Sequence, residues 1–178
     1  MNKPQESLDH SKSNDYRTIE QTMEKLSGGT RRLAAQLTTS ASFSSLWDVL
    51  TDYDRLNLFI PNLLSSKKIY QNKNNVHLKQ VGAQDFLGMK FSAEVTIDLF
   101  EEKELGLLKF SLIKGDFRKF EGSWKIKNIN DTSKNSLVYD LTVQGCQWMP
   151  IGMIEKRLKK DLSENLIAVD RQAKSSTK

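Results

Sequence analysis

The sequence predicts an α+β fold in which one antiparallel sheet is covered by a long C-terminal helix. Three observations predict it. First, in Pro150–Ala173 the residues Ile151, Ile154, Leu158, Leu162, Leu166 and Val169 recur three or four apart, which sets them on one stripe of a helix. Such a helix, about 33 Å long at ~1.5 Å per residue, is apolar on one side only and needs a surface to lie against. Second, Phe91, Ala93, Val95, Ile97 and Leu99 alternate strictly with Ser92, Glu94, Thr96 and Asp98. That is the period of a strand with one buried and one wet face. Third, the strand-like runs before the helix are separated by short turns, which makes neighbouring strands antiparallel.

Taken in order, residues 1–15 are polar without period and read as a disordered tail. Tyr16, Ile19, Met23 and Leu26 have the spacing of a short amphipathic helix, broken by Ser27-Gly28-Gly29. The organisation expected is therefore a flexible tail and linker over 1–30, a domain over 31–173 and a short tail over 174–178. Arg31–Ser40 reads as the first strand. Ser42 is an N-cap for a short helix carrying Phe43, Leu46, Trp47 and Leu50. Tyr53–Phe59 makes a second helical turn, stopped by Ile60-Pro61 because the residue before proline is driven out of the helical region. Strands follow over Ser66–Tyr70, Val76–Ala83, Phe91–Leu99, Leu107–Lys114, Phe117–Asn128 and Leu137–Val143. Gly122, inside one of them, reads as a bulge or bend. Pro150 suits the first turn of the closing helix, where a missing N–H costs nothing.

With 178 residues the chain is long enough for one domain with a sizeable core and no crosslinks. Cys146 is the single cysteine, so no intrachain disulfide forms. No apolar run reaches the ~18 residues that span a bilayer, and the N-terminus lacks the apolar segment of a secretory signal. A cytoplasmic location is expected. The net charge is +5. Residues 1–30 net −1, so the basic excess lies in the remainder. Its densest run, Lys156, Arg157, Lys159 and Lys160, reads as a solvated helix face, with docking on an anionic membrane as the sharper alternative.

No catalytic or metal-binding constellation is legible. His10 lies in the tail, and His77 is out of phase with Val76 and Leu78 and should face solvent. No metal and no cofactor is expected. Asp52 and Asp54 flank Tyr53 and are better explained as caps and turn-formers than as an acid/base pair. On the face meant for burial, Phe91, Val95, Ile97, Phe110, Leu112, Tyr139 and Leu141 come together. Gln80 and Gln84 fall in phase with Val76 and Leu78. A buried amide or phenol needs a partner, either a ligand's carbonyl or hydroxyl or the neighbouring backbone.

Val49-Leu50-Thr51-Asp52-Tyr53 and Phe59-Ile60-Pro61-Asn62-Leu63 resemble the opening helices of the polyketide cyclase/dehydrase and lipid-transport family. Gly115-Asp116-Phe117-Arg118 with Phe120, Gly122 and Trp124 resembles its paired central strands, and Met149-Pro150 through Leu166 its closing helix. The resemblance runs from about residue 31 to 172 and extends to coenzyme-Q-binding proteins of the same START-like (SRPBCC, helix-grip) superfamily. It implies a curved sheet wrapped round the long helix with an apolar cavity between them. Phe59, Gln80, Gln84, Phe86, Met89, Phe91, Val95, Phe110, Tyr139, Trp148 and Met153 are the residues expected to line that cavity.

Three functions compete. The first is binding or transport of a hydrophobic small molecule such as a lipid, an isoprenoid quinone or a polyketide-like ring. The second is an aromatase/cyclase enzyme, with Tyr139 and Arg118 as the residues to suspect. The third is a basic-surface interaction module. It ranks last, since the strands carry no RNA-binding aromatic motif, and no nucleic-acid partner is expected.

Overall fold

The structure, a computed structural model, describes residues 19–176 apart from 87, 88, 131, 148 and 150. The side chains of residues 84–86, 89, 90, 151–154 and 156 also lie outside the description. Among the described residues eight strands form one antiparallel sheet in the order β1-β2-β8-β7-β6-β5-β4-β3. In chain order they are β1 (Ile19–Lys25), β2 (Arg31–Thr39), β3 (Leu63–Asn72), β4 (Asn75–Phe86), β5 (Met89–Glu102), β6 (Leu107–Gly115), β7 (Phe117–Asn128) and β8 (Asn135–Gly145). Helix α1 (Phe43–Thr51) and a 3-10 turn (Tyr53–Leu58) lie between β2 and β3, and helix α2 (Ile151–Ser175) closes the chain. The expected α+β, START-like helix-grip architecture is the observed one.

The first strand differs from expectation. Residues 19–25 are not helical but form β1, paired with β2 from Ile19↔Leu37 to Lys25↔Arg31. The sheet therefore starts before residue 30, and this part of 1–30 is not a flexible linker. The reason for the misreading is arithmetic. Ile19 and Met23 are four apart, and four positions bring a side chain back to the same face in a strand as well as in a helix. Gln21 lies between them on that face, and its side-chain amide donates to the Lys159 carbonyl on α2 at 2.7 Å.

Elsewhere the local signals are realised. The Ser42 hydroxyl accepts from the Ser45 N–H at 3.0 Å and caps α1, which buries Leu46, Trp47, Val49 and Leu50. Asp54 accepts from the Lys68 N–H at 2.7 Å and ties the 3-10 turn to β3. His77 is on the wet face beside Asp98, 3.5 Å away. Gly122 marks no bulge: the β7–β8 register runs unbroken from Lys119 to Asn128, and the irregularity lies between Phe117 and Lys119. What Gly122 provides is room. A Cβ there would stand 2.0 Å from the Asp140 carbonyl oxygen and 2.8 Å from the Phe110 ring.

Further irregularities in register occur at Leu63/Ser65 and Lys68/Tyr70 on β3 and at Thr96/Ile97 between β5 and β6. Bulges bend and twist strands, and these help the sheet to curve towards α2. The helix packs mainly on β2, β8, β1 and α1. There Leu33, Leu37, Leu137 and Leu46 meet Leu162, Leu166 and Val169, all completely or almost completely buried. Asp170, fully buried, accepts a short hydrogen bond from the Thr39 hydroxyl and stands 3.2 Å from the Lys174 ammonium. That link pins the C-terminal half of α2 to the end of β2.

Candidate functional site

Because α2 is seated on the β1-β2-β8 half of the sheet, it stands away from β4–β7, and a cavity of about 290 Å³ occupies the wedge. Leu78 from β4, Phe91, Val95 and Ile97 from β5, Phe110 from β6, and Phe120 and Trp124 from β7 form its sheet wall. The period-2 alternation of β5 is what aims its odd-numbered residues inward. Leu158 and Leu162 of α2 face them, and Leu50, Tyr53 and Ile60 close the end under α1 and the 3-10 turn. The aromatic groups hold each other. Trp124 stacks on Tyr139 with centroids 4.0 Å apart and planes at 9°, and Phe110 tilts against Phe120 at 5.6 Å.

Polar groups are few, and most lie on one side. Arg157, Asp161 and Asn165 follow one another at intervals of four on α2, so they share a side of the helix, and all three line the cavity. Arg157 Nε is 3.3 Å from Asp161 Oδ1, yet Nε is buried without a hydrogen-bond partner among the described residues. The Asn62 side-chain amide donates to the same Asp161 oxygen at 3.4 Å. Asn62 reaches it from the loop before β3, where it adopts φ 62°, a left-handed conformation that asparagine tolerates better than most residues. Asn165 Oδ1 is buried and likewise without a partner among the described residues. Burial and the nearby Asp161 carboxylate both raise the Tyr139 phenol well above the ordinary tyrosine value, so it stays protonated. No hydrogen bond to its hydroxyl occurs among the described residues. Tyr53 is raised by burial and by the hydrogen bond its hydroxyl donates to Glu101 at 2.6 Å.

Of the residues expected to line the cavity, Gln80, Phe91, Val95, Phe110 and Tyr139 do. The Gln80 amide donates to the Ser66 hydroxyl at 3.2 Å, and that hydroxyl donates to the Tyr53 carbonyl at 2.6 Å. Gln80 is thus anchored through Ser66 to the backbone, one of the two partnerships the sequence left open. Phe59 is displaced: half-buried against the core just past the end of the 3-10 turn at Leu58, it lines a separate groove with Pro61, Ile167 and Arg171. Gln84, Phe86, Met89, Trp148 and Met153 lie outside the described side chains. Arg118 is exposed on the wet face and does not reach the cavity. Arg157, expected with the basic run, is half-buried and lines the cavity, while Lys159 and Lys160 are exposed and Lys156 is outside the described side chains. Asn165 could have been found from sequence. At 100° per residue it falls about 20° from Leu158, within the apolar stripe of the helix, where a polar residue is out of place.

The fold matches solved structures closely over nearly its whole length. A STAR-related lipid transfer protein from Xanthomonas axonopodis superposes with a TM-score of 0.75 at 12% identity, covering 88% of this chain and 93% of that one. Human StAR-related lipid transfer protein 5 gives 0.72 at 7% identity, covering 90% and 84%. An aromatase/cyclase from a Streptomyces species gives 0.71 at 14%, covering 84% and 96%. At such identities the likeness establishes the fold. No curated protein sequence matches the chain significantly. Residues 39–170, from the end of β2 through most of α2, match the model of the polyketide cyclase/dehydrase and lipid transport family, and the chain belongs to that family.

Proposed function

We propose that this chain binds a hydrophobic small molecule in the cavity between the sheet and α2, as a carrier or binder of that molecule. The observation that supports this most directly is the cavity: an apolar pocket of about 290 Å³ lined by aromatic and aliphatic side chains with a small polar group at one side. Small-molecule sites have this make-up, at volumes of ~300–1,000 Å³. The size suits a single chain or a few fused rings. Among the solved structures of the same fold are two lipid transfer proteins, in keeping with this reading.

Native mass spectrometry and organic extraction of the purified protein test it. The expected result is a co-purifying apolar compound, or saturable binding of an apolar fluorescent probe at one site per chain. A chain that neither carries a compound nor binds any such probe would not be a carrier.

Two features favour a second reading, an aromatase/cyclase-type enzyme: solved neighbours include aromatase/cyclases, and Tyr139 offers a retained proton inside the cavity. Arg118 is too exposed to share the role. A Tyr139→Phe variant with unchanged turnover on a confirmed substrate would remove Tyr139 from it. Delivery to an anionic membrane would rest on the run Lys156, Arg157, Lys159 and Lys160, in which Lys159 and Lys160 are exposed. Sedimentation with vesicles of rising phosphatidylserine content, repeated at high salt, checks this.

A further inference from the structure

The polar side chains on the cavity wall bear on the head of any molecule it takes. Arg157 Nε–H is a buried donor without a partner among the described residues, and Asn165 Oδ1 is a buried acceptor in the same position. The Tyr139 hydroxyl makes no hydrogen bond among the described residues either, although it lies inside the cavity. Buried polar groups are normally paired, so a ligand head that inserts between these side chains has to offer them partners. It needs an acceptor for Arg157 and Tyr139, and a donor for Asn165. A hydroxyl supplies both, and a ketone, ester or quinone carbonyl supplies the first.

Charge narrows the choice. Arg157 does not stand alone: Asp161 is 3.3 Å away, held by the Asn62 amide. The pair sums to no net charge. A carboxylate drawn to Arg157 is brought against Asp161, and an ammonium drawn to Asp161 is brought against Arg157. Either leaves a charge without compensation against a largely apolar wall, which is costly. A neutral head disturbs neither partner.

We propose that the Arg157–Asp161 pair, with Asn165 and Tyr139, selects ligands whose polar end is a neutral hydroxyl or carbonyl and rejects ligands of equal apolar length that end in a carboxylate or an ammonium. This deepens the carrier reading and rests on it. Raised above the ordinary value by burial and by Asp161, Tyr139 keeps its proton and serves as a donor throughout.

The test is displacement of a bound apolar fluorescent probe at neutral pH by four competitors of one chain length: decanol, methyl decanoate, decanoate and decylamine, each below its aggregation threshold. Decanol and methyl decanoate are expected to compete at least about tenfold more tightly than the two charged compounds, in line with the strength of hydrogen bonds involving a charged group. Asp161→Asn, close in shape, should then raise the affinity of decanoate relative to decanol by about tenfold, and Arg157→Gln should favour decylamine in the same sense. A wild-type protein that takes decanoate as well as decanol overturns the proposal. So does an Asp161→Asn protein that binds the probe normally and keeps the original ranking. The wild-type ranking decides the matter alone if neither variant folds. Failure of the probe and of all four compounds to bind would instead overturn the carrier reading, a result distinct from binding without regard to the head.

Discussion

At the scale of the residue, Leu162 has two duties. It is 1% exposed, part of the core against α1 and β2, and it also lines the cavity. Leu162→Ala is expected to destabilise the protein by ~2–5 kcal/mol, as large-to-small core changes do, and denaturant titration would measure it. The two buried tyrosines make a different forecast. Tyr53 and Tyr139 both have phenols raised by burial, so the native state holds its protons where the unfolded chain has released them. Stability from this source is complete below the ordinary tyrosine value of ~10 and is lost as pH rises beyond it. Alkaline titration followed by tyrosinate absorbance should show both ionising only as the protein unfolds, and Tyr139→Phe should flatten the alkaline loss of stability. Inward-facing apolar residues such as Phe91 and Val95 were legible in the sequence because one alternation fixes a whole face. Arg157 and Asp161 were not. An ion pair at i,i+4 produces the same pattern on a wet helix face as in a cavity, and only the seating of α2 on one half of the sheet decides which.

At the scale of the element, the β5 strand and α2 could be read directly, since each repeats its period many times. β1 could not, as two apolar residues four apart satisfy both periods, and its identity comes from the β2 partner it pairs with. The β7 strand was recognised, but the meaning of its glycine was not. Sequence reports that a side chain is missing at 122 and is silent on what fills the space, which is the Phe110 ring and the Asp140 carbonyl. Gly122→Ala is therefore expected to cost at least ~1–3 kcal/mol, the penalty of forcing atoms into a filled site. It should also shift the β7–β8 amide resonances in NMR spectra. A variant as stable as the parent would mean that the sheet yields there more easily than the 2.0 Å approach implies.

At the scale of the whole molecule, the helix-grip arrangement follows from one asymmetry: α2 is packed on β1, β2, β8 and α1, with β4–β7 left facing the wedge. Filling the wedge should remove binding while leaving the fold. Ala93→Phe places a ring into the cavity from β5 and is expected to abolish uptake of an apolar probe at a stability cost of ~1–3 kcal/mol or less, with calorimetric melting and probe titration as the paired measurements. Probe uptake at parental affinity would put the binding site elsewhere. The same asymmetry bears on how readily this scaffold could be reprogrammed. The contacts that seat the closing helix and those that shape the far wall of the enclosure come largely from different strands. Libraries of substitutions at Phe91, Ala93 and Phe117 could therefore be screened for new guests with little attrition from misfolding, since distant sites contribute to stability almost additively.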